Sequence, residues 1–267
     1  MAKITLLNEN QIWGDKTLNI LKSYGTKVAL SDLAIVLGGW LGSDGVTIEG
    51  DRSGYIWTAS GLELGLVRTI THAGDKCYYY PNRRRDGIRP VLTPEETKKL
   101  KPENTYTLTL SNNEKIKIVH LGTYPQKSVK VKLSELLEKM YQNNELKKTK
   151  RYFTFDTTGL TDYETGLTPK KYYIYQHTEK KYIRVEGRPA DSDSILSNGK
   201  DVQIGEPYWL EVLPIEWLVD EKTGIWVSKK ALISGIRFGK DDTYDGDFKK
   251  TDMYLYLNTY FAKEIDL

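Results

Sequence analysis

The side chains with the strongest claim to chemistry are three histidines, one cysteine, an acidic tract and a Tyr/Arg-rich segment. His72, His120 and His177 are scattered, and no pair has the i, i+4 spacing that lets one helix offer two imidazoles to a metal. Cys77 stands alone in an aromatic run and reads as a small buried hydrophobe rather than a nucleophile, which needs a setting that holds a thiolate. No catalytic-serine elbow, phosphate-cradling glycine loop or dinucleotide fingerprint occurs, and Gly38, Gly39 and Gly42 do not follow a strand. The sequence therefore implies no catalytic residue, no metal and no cofactor.

The acidic tract runs from Gly239 to Asp247. Counted from Asp241, Asp245 and Gly246 fall where a calcium-binding loop wants them. Thr243 and Asp252 stand where such a loop wants an Asp or Asn and a bidentate Glu. With those positions wrong, a turn entering the last helix, capped by Thr251 or Asp252, is the better reading. The segment Tyr78-Tyr79-Tyr80-Pro81-Asn82-Arg83-Arg84-Arg85-Asp86 has the residue types of recognition surfaces, rigid aromatics beside adaptable donors. In an extended chain Tyr78 and Tyr80 face one way and Tyr79 the other. Tyr78, Tyr80, Asn82, Arg83 and Arg85 are the candidate binding residues, with the first two outward because Asn82 continues their side. The competing reading is a hairpin with half-packed tyrosines and solvated arginines.

The elements that must position these residues follow from pattern. Lys16–Tyr24 reads as a short helix stopped by Gly25, and Ser31 caps a second one over 33–37. Short β-prone runs follow at Val46–Ile48, Tyr55–Thr58, Leu66–Ile70 and Cys77–Tyr80. Thr93 and Pro94 open a charged helical turn. Tyr106–Leu110 and Lys115–Val119 flank a turn and predict a hairpin. Leu133–Leu146 predicts a helix with Leu133, Leu136, Leu137 and Met140 on one face, and the basic run Lys147–Arg151 reads as its solvated end. Strands follow over Tyr172–Val185, Tyr208–Val219 and Gly224–Ser228, and Thr251–Ile265 predicts a final helix with Leu255, Tyr256, Tyr260 and Phe261 toward a core.

Composition bounds the function. The 39 basic and 36 acidic residues leave a net charge of +3, which argues against a dedicated nucleic-acid binder. Nineteen Tyr and six Trp against five Phe suit strands and wet binding surfaces. One cysteine forbids an internal disulfide, no signal peptide is visible, and no apolar run could span a bilayer. The expectation is a protein of the bacterial cytoplasm, of host or phage origin; a virion component made there would look the same.

Two blocks resemble a domain family of unknown function from gut bacteria and their phages. They include Gly122-Thr123-Tyr124-Pro125-Gln126, Pro214-Ile215-Glu216-Trp217-Leu218-Val219, Ser228-Lys229-Lys230-Ala231-Leu232 and Leu257-Asn258-Thr259-Tyr260-Phe261. Gly54-Tyr55-Ile56-Trp57-Thr58-Ala59-Ser60 and Gly87-Ile88-Arg89-Pro90-Val91-Leu92 are similar to the family's ending, which also resembles the C-type-lectin-like fold of formylglycine-generating enzymes. Here the ending comes first, as a circular permutation would leave it. The resemblance implies an α+β, C-type-lectin-like, β-rich core with a few short helices. Residues 1–126 and 208–267 form it jointly and 127–207 are inserted; the alternative is two domains, 1–100 and 101–267. The paired cysteines of those enzymes are missing. The expected function is non-catalytic binding of a protein partner or a glycan. The alternatives are an inhibitor or structural protein of a phage or mobile element, and an enzyme with an unlocated carboxylate site. Arg89 is expected to make a structural fork to carbonyls or a carboxylate.

Overall fold

The computed structural model describes residues 3–42, 47–241 and 243–266. The chain opens with β1 (Ile4–Thr5), α1 (Glu9–Trp13), α2 (Asn19–Tyr24) and α3 (Asp32–Val36). Ser31 caps α3 as its sequence implies: its hydroxyl accepts from the Ala34 N–H at 3.1 Å and donates to the Leu232 carbonyl at 3.0 Å. Next come a short pair, β2 (Thr47–Ile48) and β3 (Asp51–Arg52), and a three-stranded antiparallel sheet of β4 (Ile56–Gly61), β5 (Val67–Ile70) and β6 (Lys76–Tyr79). Val46, expected in the first of these runs, lies outside the described residues.

A nine-stranded sheet dominates the rest. It takes β1, β7 (Val91–Leu92), β8 (Asn104–Thr109), β9 (Lys115–Ser128), β10 (Lys147–Asp156), β11 (Pro169–His177), β12 (Lys180–Glu186), β13 (Pro207–Asp220) and β14 (Ile225–Ser228). Helix α4 (Pro94–Thr97) starts on proline, and α5 (Val131–Gln142) lies between β9 and β10. Strand β13 is central because its run is apolar nearly throughout. It pairs with β9 from Leu210↔Ser128 to Leu218↔Ile118, with β12 at one end and β14 at the other. Its register breaks between Pro214 and Glu216, where proline has no N–H to give the ladder. The β8–β9 hairpin forms as expected, with Asn113 at φ 65° in its turn.

Three details depart from the sequence pattern. The basic run Lys147–Arg151 is not a helix end but the start of β10, whose pairing with β11 overrides its polarity. In α5, Leu137 is buried and Leu133 and Met140 pack beside it, but Leu136 is 45% exposed. The last helix is split: α6 (Asp252–Tyr256), a π-helical turn (Leu257–Phe261) and α7 (Ala262–Glu264). Leu255, expected inside, is exposed, while Tyr256 and Phe261 are buried. Thr251 caps α6 by accepting from the Tyr254 N–H. The main core draws on both ends of the chain, from Ile4 to Ile265, and a smaller cluster joins α5 to Tyr182 and Trp209. The protein is thus a mixed α+β fold, rich in strands. No helix among the described residues is long and apolar enough to cross a membrane.

Candidate binding surface

Strand β6 is an edge strand, hydrogen-bonded only to β5 in its sheet, with Arg68↔Tyr78 and Val67↔Tyr79 in register. Alternation along it decides what each tyrosine meets. Tyr78 is 54% and Tyr80 62% exposed, while Tyr79 is half-buried. The turn after β6 is pinned: Arg83 N–H donates to the Tyr80 carbonyl, and Phe238 and Gly239 both donate to the Pro81 carbonyl.

Arg83 takes the other side. Its guanidinium carbon sits 3.5 Å from the Tyr79 ring centre and 4.6 Å from that of Trp40. Trp40 stacks on Tyr55 at 4.3 Å and 15°. The backbone holds this arrangement, since Trp40 N–H donates to the Arg85 carbonyl and Tyr55 N–H to that of Trp40. A cation over several aromatic faces is held by their quadrupoles. Tyr55 also leans on His72 at 5.4 Å, and a Cβ on Gly42 would lie 2.2 Å from that imidazole, so only glycine fits there.

The five sequence candidates therefore divide. Tyr78 and Tyr80 share the outer face. Arg83 belongs with Tyr79, Trp40 and Tyr55, and Asn82 and Arg85 are half-buried. Arg84 is fully buried, so the picture of three solvated arginines does not hold for it. Cys77 is half-buried, not a core residue. Sequence places Tyr55 only in a β-prone run and the family-like block and gives Trp40 no role; tertiary pairing alone stacks them.

Asp86 lies beneath Arg83, with Arg83 Nε 3.5 Å from its Oδ2. It is completely buried, and no protein hydrogen bond reaches either carboxylate oxygen among the described residues. Burial pushes its pKa up to about 6, against the pull of Arg83 and Arg85. The folded state thus holds this proton more tightly than the unfolded chain does. The associated stability is present in full below the ordinary aspartate value of 3.8 and is lost as pH rises through about 6. Replacing Asp86 by Asn is expected to stabilise the protein by about 2–3 kcal/mol at pH 7 and hardly at all near pH 4. Paired thermal melts across that range check it; a gain independent of pH would show that Asp86 does not titrate in this way.

Other carboxylates are already engaged. Burial would raise Glu216, but Tyr106, Lys229 and His120 outweigh it and hold it below the usual glutamate range. Lys229 Nζ lies 3.4 Å from Glu216 and 2.7 Å from Glu49. Burial does raise Glu264, whose two oxygens accept from the Thr154 N–H and hydroxyl at 2.7 and 2.6 Å. Arg89 does not form the expected fork: its Nε donates to the Ser228 carbonyl at 2.7 Å, and among the described residues no hydrogen-bond partner meets Nη1 or Nη2.

The acidic tract borders a cleft of about 950 Å³ between Gly61–Gly65 and residues 239–252. Asp245 accepts from the Asp247 N–H and pairs with Lys250 at 3.0 Å, and Asp252 is bound by Arg237. No cluster of three or more metal-ligating side chains occurs among the described residues; Asp242 lies outside them.

Fold and surface together define a β-rich α+β protein with an aromatic edge. No protein-family model, curated protein or solved structure matches the chain.

Proposed function

We propose that the protein is a non-catalytic binding module that recognises a protein partner or a glycan through the outer face of β6. The observation that carries this reading is the pair Tyr78 and Tyr80, each more than half exposed on an unpaired edge. Large aromatics so placed anchor ligands at low entropic cost. Against catalysis, the raised carboxyl of Asp86 is sealed, and both oxygens of Glu264 already accept hydrogen bonds from Thr154. The C-type-lectin-like, circularly permuted core is part of the same proposal. Its support is the meeting of the chain ends: Asn258 both accepts from the Ile4 N–H and donates to the Ile4 carbonyl, each at 2.9 Å.

The test compares the protein with its Tyr78→Ala/Tyr80→Ala variant on a glycan array and in cross-linked capture from native lysate. The variant is expected to keep its melting temperature within a few degrees, as surface substitutions do, and to lose binding by about 2 kcal/mol or more. A variant that unfolds would make these rings structural. One that captures the same ligand equally well would place the site elsewhere.

A further inference from the structure

Strand β10 is the far edge of the large sheet, and three segments bring cations to it. Lys147, Lys148, Lys150 and Arg151 come from β10, Lys170 and Lys171 from β11, and Lys263 from α7, all exposed. Arg151 pairs with Asp266 and Lys170 with Glu186. The other five have no carboxylate within ion-pair distance among the described residues. That exceeds the net charge of +3 for the whole chain. The near-neutral total therefore conceals a strongly positive edge.

Aromatic rings are interleaved with these cations. Tyr152 and Tyr173 are directly opposite across β10 and β11, 5.9 Å apart and both half-buried. Lys148 Nζ lies 3.6 Å from the Tyr173 ring centre and Lys171 Nζ 4.3 Å from that of Tyr152. The ladder breaks between Lys148 and Tyr152, where the Thr149 hydroxyl accepts from the Arg151 N–H at 3.2 Å. Such a bulge turns the side chains of Lys150 and Arg151 out of the regular pleat. Beside it a cleft of about 540 Å³ runs between β10 and the last helix, reaching Tyr260 and Lys263.

We propose that this edge docks single-stranded nucleic acid, with phosphates drawn to the lysines and bases stacked on Tyr152 and Tyr173. Charge complementarity calls for a polyanion, and the rings between the charges favour one that carries flat bases. The lysines now lying over the rings would move to phosphate as a base takes the ring face. This surface is separate from Tyr78 and Tyr80, so either proposal can fail alone.

The test is fluorescence anisotropy with a labelled oligothymidylate, its duplex, heparin and anionic vesicles as probes. Single strands are expected to bind best, with a slope of log affinity against log salt of about −3.5 for five phosphate contacts. Lys148→Gln with Lys171→Gln should flatten that slope by about 1.4. Tyr152→Ala with Tyr173→Ala should weaken binding by about tenfold or more, while the phenylalanine pair retains it and Tyr78→Ala/Tyr80→Ala changes nothing. Circular dichroism confirms that each variant is folded; were the alanine pair to unfold, the slope and the probe ranking still decide. No binding at about 50 mM salt would overturn the proposal, as would equal binding of duplex, heparin or vesicles.

Discussion

Residues 1–101 produced alone are expected to show no cooperative melt and no dispersed amide spectrum. The segment holds many of the buried side chains but not their partners. Strand β7 lies between β1 and β14, and β14 would be gone. Leu30 bridges to Ala231 and Ile88 to Ile233, Ser31 bonds the Leu232 carbonyl, and the Ile20 N–H donates to Asp220. Without these strands Leu33, Ile35, Val36 and Leu92, all buried in the whole protein, lose much of their cover. Each such exposure costs about 1.5–3 kcal/mol, so a handful outweighs the roughly 5–15 kcal/mol that holds a domain together. A cooperative transition of the fragment would instead make the chain two domains, divided near residue 100.

What could be read from sequence was local. Serine before an apolar run caps α3, proline opens α4, and a four-residue turn closes the β8–β9 hairpin, because each depends on residues a few positions apart. Period-two alternation separates Tyr78 and Tyr80 from Tyr79, but which side is covered is decided by the packing of Arg83, Trp40 and Tyr55 around Tyr79, which is tertiary. The basic start of β10 was illegible too. Five residues rich in lysine carry little strand preference, and only Lys147 and Lys148 among them pair in the ladder, with Gln176 and Tyr175. The same holds for the cation-over-ring arrangement at Arg83, which joins Trp40, Tyr55 and Tyr79 from three separate segments. Within α6 Met253 and Tyr256 are buried while Leu255 is exposed, and the π-helical turn that follows is not legible from apolar spacing.

Arg84 is the clearest case of a residue whose neighbours in sequence mislead, and removing its partner should have the larger single-site effect. It stands between Arg83 and Arg85 yet is wholly buried. Its Nη1 bonds Asp156, its Nε donates to the Asp162 carbonyl at 3.0 Å and its Nη2 to that of Thr165 at 2.7 Å. The other Asp156 oxygen accepts from the N–H and hydroxyl of Thr168 at 2.7 and 3.1 Å and from the Thr158 hydroxyl at 2.8 Å. Arg188 adds bonds to the carbonyls of Asp156 and Thr158. One carboxylate thus both neutralises a buried cation and closes the loop from 156 to 168. Asp156→Ala is expected to cost about 3–5 kcal/mol, because the guanidinium stays buried with its charge uncompensated. Arg84→Met with Asp156→Leu should cost clearly less than the sum of the single changes, since a buried pair replaced by apolar groups leaves no orphan charge. Chemical denaturation of the wild type, both single variants and the double variant measures this coupling. Additive costs would mean that the two side chains stabilise the protein independently, and that the loop rather than the ion pair is what Asp156 supports.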